Sequence, residues 1–140
     1  MADWNILSAG QSHSLAIKTD ATLWSWGANI ANIGQLGVNS SAATGSRSSP
    51  AQVGTLATWA AVSSAISHSL ALKTDSTMWS WGLGTTGQLG DNTAATKSSP
   101  VQIGTLTTWA GVSAGFSHSI SWKTDGTLWS WGRNNSGQLG

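Results

Sequence analysis

Three histidines, His13, His68 and His118, are each followed directly by a serine, Ser14, Ser69 or Ser119, and seven residues later by an aspartate, Asp20, Asp75 or Asp125. Those are the side chains of a nucleophilic triad, in which an imidazole takes the hydroxyl proton and a carboxylate orients the ring. Three histidines are also the ligand number of many catalytic zinc sites. Glycine pairs, Gly34 and Gly37, Gly87 and Gly90, Gly137 and Gly140, bracket a Gln-Leu dipeptide and raise a third possibility, a phosphate-cradling loop.

Spacing argues against all three. On a strand, adjacent His68 and Ser69 point to opposite faces, and Asp75 lies roughly 23 Å along an extended chain at about 3.3 Å per residue. A copy of the set in each repeat is also an odd way to make one active site. Convergence of the histidines on a metal would call for carboxylates in support, and none stands at matching positions. The glycine loops lack the G-x-x-x-x-G-K-[ST] pattern and no helix follows them to present its N-terminus. We therefore expect no catalytic residue, no cofactor and no metal. By period two the histidines share a strand face with Leu15 and Ile17, Leu70 and Leu72, and Ile120 and Trp122, which predicts buried neutral imidazoles bonding backbone carbonyls between structural units. Trp24 with Trp26, Trp79 with Trp81, and Trp129 with Trp131 stand at i and i+2, on one face, and read as packing residues.

The elements that must hold these residues come from a tandem repeat. The histidines stand 55 and then 50 residues apart, as do Trp24, Trp79 and Trp129. The extra residues of the first copy fall in Ala/Asn/Ser/Gly-rich stretches, one of them carrying Ile30 and Ile33, where surface loops tolerate insertion. Each period holds four short β signals: in the second copy "WAAVSSA" from Trp59, "HSLALKT" from His68, "TMWSWG" from Thr77 and "PVQIG" from Pro100. Asp-centred links between the second and third signals suit tight hairpins, Asp125-Gly126 best of all. Four antiparallel strands per repeat of about 50 residues predict an all-β chain of propeller blades. Residues 1–54 form blade one, 55–104 blade two and 105–140 an incomplete blade three, part of or assembling into a ring, which two copies of the chain would close at about six blades.

Composition narrows the partners. The 140 residues are 39% hydrophobic and only 8% charged, without glutamate or cysteine, at a formal net charge of +1. Six scattered basic residues give no electrostatic reason to expect nucleic acid or an anionic membrane. No stretch approaches the ~18 apolar residues of a transmembrane helix. The expectation is a soluble chain, with the extracellular space or a virion surface favoured over the cytoplasm.

The stretch "WAGVSAGFSHSISWKTDGTLWSWGRNNSGQLG" together with "SSPVQIG" resembles the regulator of chromosome condensation repeat family, and the likeness runs over essentially the whole chain. The resemblance implies a seven-bladed propeller, so that further blades must come from a longer polypeptide or from self-association. It also implies that the turn between the first and second strands lies on a partner-contacting rim. That turn holds Gln11, Ile66 and Phe116, and the loop after each "WG" holds Ile30 and Ile33 or Arg133; these six residues, where the copies differ, are the candidate contacts to a protein partner. The family's ultraviolet-B photoreceptor has Trp-Arg between its Gly and His, where this chain has Gln11-Ser12, Ile66-Ser67 and Phe116-Ser117. Its best-known member exchanges guanine nucleotide on a small GTPase through loops and a basic segment that are not recognisable here, whereas a β-lactamase inhibitor of the family works through rim aromatics. The expected function is thus a non-catalytic protein-interaction propeller, bacterial or viral, with a structural module of a virion or cell surface and a nucleotide-exchange regulator as the alternatives.

Overall fold

The computed structural model describes residues 2–30, 33–39 and 45–140. Eleven strands make three sheets, with no helix among the described residues. Blade one pairs β1 (Trp4–Ala9), β2 (His13–Lys18), β3 (Leu23–Gly27) and β4 (Arg47–Gln52) in chain order. Blade two repeats the pattern with β5 (Trp59–Ser64), β6 (His68–Lys73), β7 (Met78–Gly82) and β8 (Lys97–Gln102). Blade three has three strands, β9 (Trp109–Ala114), β10 (His118–Lys123) and β11 (Leu128–Gly132), ordered β11-β10-β9. All pairings are antiparallel. The chain is all-β: two complete four-stranded propeller blades and one incomplete blade.

Why the blades stack follows from the strand alternation. In β2 the residues His13, Leu15 and Ile17 face blade two, and their register partners Ser25 and Leu23 on β3 share that face. Ser14, Ala16 and Lys18 face the other way, together with Trp24 and Trp26. Every blade thus has a face of large aliphatic residues, here called its tail, and a face of small residues flanked by tryptophans, its head. The tail of blade one meets the head of blade two in a core of Leu15, Ile17, Leu23, Val53, Trp59, Ala71 and Trp81. A second core, Leu72, Met78, Ile103 and Trp109, joins blades two and three. Covered on both faces, β6 is buried along its whole length.

The fourth strand departs from its sequence signal. It starts three residues earlier, at Lys97, and ends at Gln102, so that Ile103 and Gly104 lie outside it. A register shift between Ser80 and Gly82 lets Lys97 pair with Gly82. Pro100 is tolerated because the strand is the outer edge, where its missing N–H is not needed.

Candidate functional site

In each blade the first and third strands end, and the second begins, at one edge of the sheet, where the fourth strand of blades one and two begins as well. That edge is the rim carrying both the first turn and the loop after the "WG". Main-chain bonds stitch the two segments together: Ala28 N–H donates to the Ser12 carbonyl at 2.7 Å, Leu83 to Ser67 at 2.8 Å, and Arg133 to Ser117 at 2.9 Å. Phe116 and Arg133, adjacent in space for this reason, line a cleft of about 390 Å³ with Ser117, His118, Ser136 and Gln138. Phe116 is 67% exposed. Gln11 is exposed as well, and its N–H donates to Ala65 O of the neighbouring blade at 3.3 Å. Ile66 is half-buried. Ile30 is 50% exposed, while Ile33 is half-buried and donates its N–H to the Ile30 carbonyl at 3.0 Å. All six candidate contact residues lie on this rim, and Phe116 and Arg133 share a cleft.

The histidines are arranged differently from a triad. His13 Nε2 lies 3.0 Å from Ser69 Oγ, and His68 Nε2 lies 3.0 Å from Ser119 Oγ, each pair crossing from one blade to the next. The partner is a serine hydroxyl, not the backbone carbonyl that the sequence suggests. Each hydroxyl in turn donates to a main-chain carbonyl of the Gln-Leu loop, Ser69 to Gln35 at 3.0 Å and Ser119 to Gln88 at 2.8 Å. The same carbonyls accept from tryptophan indoles, Trp81 Nε1 to Gln35 and Trp131 Nε1 to Gln88, both at 2.9 Å. With the serine proton committed to a carbonyl, the imidazole N–H donates to the serine oxygen. The ring is therefore a donor here and cannot act as the base that activates the hydroxyl. Burial pushes the His13 and His68 imidazoles down to about 4, the neighbouring histidines adding to the effect at His68.

The aspartates sit beyond the far end of the second strand, away from the histidines. Asp20, Asp75 and Asp125 each accept from the hydroxyl and the main-chain N–H of the threonine two residues on. Those bonds hold the three carboxyls below the usual range. The threonine then accepts from a tryptophan, Thr77 Oγ1 from Trp79 Nε1 at 2.9 Å. The glutamine side chains cap loop N–H groups, as Gln88 Oε1 does for Thr86 at 2.8 Å.

Sequence reasoning passed over a further cluster. Trp4, Trp59 and Trp109, the first residues of β1, β5 and β9, meet the "WSW" pair of their own blade edge to face or tilted; Trp59 lies 6.0 Å from Trp79 and 6.3 Å from Trp81. Lys18, Lys73 and Lys123 set their ammonium over Trp24, Trp79 and Trp129 at 4.0, 3.6 and 4.1 Å. The available signal was the recurrence of a lysine and a third tryptophan at fixed positions in every copy.

The chain is similar in fold to solved propellers. It superposes on human WBSCR16 with a TM-score of 0.81 at 23% identity, covering 96% of this chain and 35% of that one. Against yeast RCC1 (Prp20) in its crystal structure with Kap60 the TM-score is 0.77 at 19% identity, covering 97% and 33%. Against Prp20p from Saccharomyces cerevisiae, whose structure was described with its binding to Gsp1p and histones, the TM-score is 0.78 at 22% identity, covering 95% and 33%. The chain thus spans about a third of the length of these structures. Two family models described as the regulator of chromosome condensation (RCC1) repeat match residues 75–122, and residues 6–31 and 109–138. With its tandem blades and the matches spread across all three copies, the chain belongs to the regulator of chromosome condensation repeat family.

Proposed function

We propose that this chain is a non-catalytic, protein-binding propeller segment that contacts its partner through the rim of blade three. The observation that carries the reading is Phe116, an aromatic side chain two-thirds exposed in a Gly-Phe-Ser turn, beside a cleft shared with Arg133. A turn of this kind needs no aromatic, whereas aromatic and arginine side chains are the ones that dominate protein interfaces. Gln11, Ile66 and Ile30 extend the same rim across the neighbouring blades. An exterior location, on a bacterial cell or a virion, belongs to the proposal and rests on the charge-poor composition.

Affinity capture with the wild-type chain and with Phe116→Ser/Arg133→Ala tests it. A specific protein retained by the wild type and lost by the variant, at a melting temperature within a few degrees of wild type, is the expected result, because exposed substitutions typically cost no more than ~0.5 kcal/mol. Equal retention by both proteins overturns the rim assignment. The rival reading of a nucleotide-exchange regulator draws support from the fold it shares with Prp20p, and accelerated guanine-nucleotide release from a small GTPase would favour it.

A further inference from the structure

Lys73 ends strand β6 at the opposite end from His68, and the residue is only 9% exposed. Its ammonium rests on indole faces, 3.6 Å from the ring centroid of Trp79 and 5.1 Å from that of Trp59. A ring face attracts the charge but leaves most of its N–H groups without an acceptor. Among the described residues that ammonium has neither an ion pair nor a hydrogen bond. Asp75 acts on it only through space, its Oδ1 accepting from the Thr77 hydroxyl at 2.6 Å and the Thr77 N–H at 3.0 Å. Burial pulls the Lys73 ammonium below its ordinary 10.5, and the Asp75 charge opposes that pull. A cation taken out of water without an acceptor is costly, and an anion brought to it offsets the cost.

Space for an anion lies beside it. Lys73, Trp59 and Trp79 line a pocket of about 290 Å³ in the joint between blades one and two. Apolar walls come from Val53 and Leu56 on the link that follows β4, from Val38 on the loop after Gln35-Leu36, and from Pro100 on β8. No lining residue carries a carboxyl. The walls are held in place by the joint itself, since Asn39 N–H donates to the Ser98 carbonyl at 3.1 Å and fixes the loop of blade one against β8 of blade two. In the next joint the position of Val38 is taken by Asp91, which pairs with Lys97 at 3.4 Å. The fold accepts an acid at that place, and the pocket with Lys73 has none.

We propose that this pocket binds a small aliphatic monocarboxylate, with the carboxylate on the Lys73 ammonium and the chain against Val53, Leu56 and Pro100. Charge-assisted hydrogen bonds to the carboxylate supply the acceptors that the indoles lack. The enclosed volume lies at the small end for ligand pockets and has room for a chain of about six carbons. The site is separate from the rim contacts of Phe116 and Arg133 and does not depend on them.

Isothermal titration of the chain with sodium hexanoate tests the assignment, with 1-hexanol and inorganic phosphate each offering one half of the ligand. Hexanoate is expected to fill one saturable site per chain, and hexanol and phosphate to bind about tenfold more weakly or less. Lys73→Met keeps the stem against the tryptophans and is expected to weaken hexanoate about tenfold or more. Lys123→Met removes the same kind of contact, an ammonium 4.1 Å from the Trp129 centroid, and is expected to leave hexanoate binding unchanged. Leu56 is 50% exposed, so Leu56→Asp sets a carboxylate at the pocket without entering a core and is expected to weaken hexanoate as well; it decides the matter if Lys73→Met does not fold. Absence of saturable hexanoate binding up to about 10 mM overturns the proposal. Hexanol or phosphate binding as tightly as hexanoate, or folded Lys73→Met or Leu56→Asp binding like the wild type, overturns it too.

Discussion

The imidazoles of His13 and His68 are neutral because the joints that hold them exclude water, and this ties the joints to pH. In the folded chain both lose their proton at about 4, below the ordinary 6.5. Between those values the unfolded chain takes up protons that the folded chain refuses, so stability falls as pH falls from 6.5 toward 4 and is unaffected by these groups above 6.5. The expected loss by pH 4 is on the order of 3 kcal/mol per histidine. Thermal melts across that interval will show a falling midpoint, and a His13→Asn/His68→Asn variant will show a flatter profile. The carboxyls of Asp20, Asp75 and Asp125 contribute only at lower pH, since their values lie below 3.8. Alternation of residue types along the strand points the histidines at the right face. Their partner is not legible there, because Ser69 stands 56 residues away and the hydroxyl is oriented by a Gln35 carbonyl that has no side-chain signature.

At the scale of the element, the hairpin between second and third strands shows where the copies are unequally suited to one backbone. Ala21 and Ser76 adopt the left-handed region with φ of 61° and 60°, where blade three has Gly126 at 84°. A residue with a β-carbon loses roughly 1–2 kcal/mol in that conformation, and glycine gives back about 0.5–1 kcal/mol through the freer unfolded chain. Ala21→Gly and Ser76→Gly are therefore each expected to stabilise by about 0.5 kcal/mol, read as a rise in the urea midpoint at unchanged slope. The hairpin itself is legible from the Thr-Asp links, and three strands of each blade begin within a residue of their signals. The outer strand is not, since an edge strand with one paired side can include polar Lys97, Ser98 and Ser99, whose composition reads as loop. The rim is legible in a different way: variation among equivalent positions marks Gln11, Ile66 and Phe116, but only the stitching of Arg133 to Ser117 joins Phe116 to its neighbour.

For the molecule as a whole, cover on both faces decides which parts hold longest. Strand β6 has a blade on either side, whereas β11 is an edge strand of the three-stranded sheet. Hydrogen exchange on dilute monomer should accordingly be slowest at Leu70 to Leu72 and faster by orders of magnitude at Trp129 to Trp131, because opening free energies follow local burial. Uniform protection across the three blades would contradict this ordering. The joints have a further consequence. Every blade offers a histidine N–H and a glutamine carbonyl on one flank and a serine hydroxyl and a tryptophan N–H on the other, so the flanks of successive blades match. A gene encoding such a chain can gain or lose one whole period by unequal recombination without inventing a new contact, whereas a change of length inside a strand moves a histidine off its serine; only the loops absorb other lengths, as the five extra residues of the first copy do with the His13–Ser69 contact intact. Selection on blade number is thereby separated from selection on the joint, and the rim loops are left free to diverge from copy to copy.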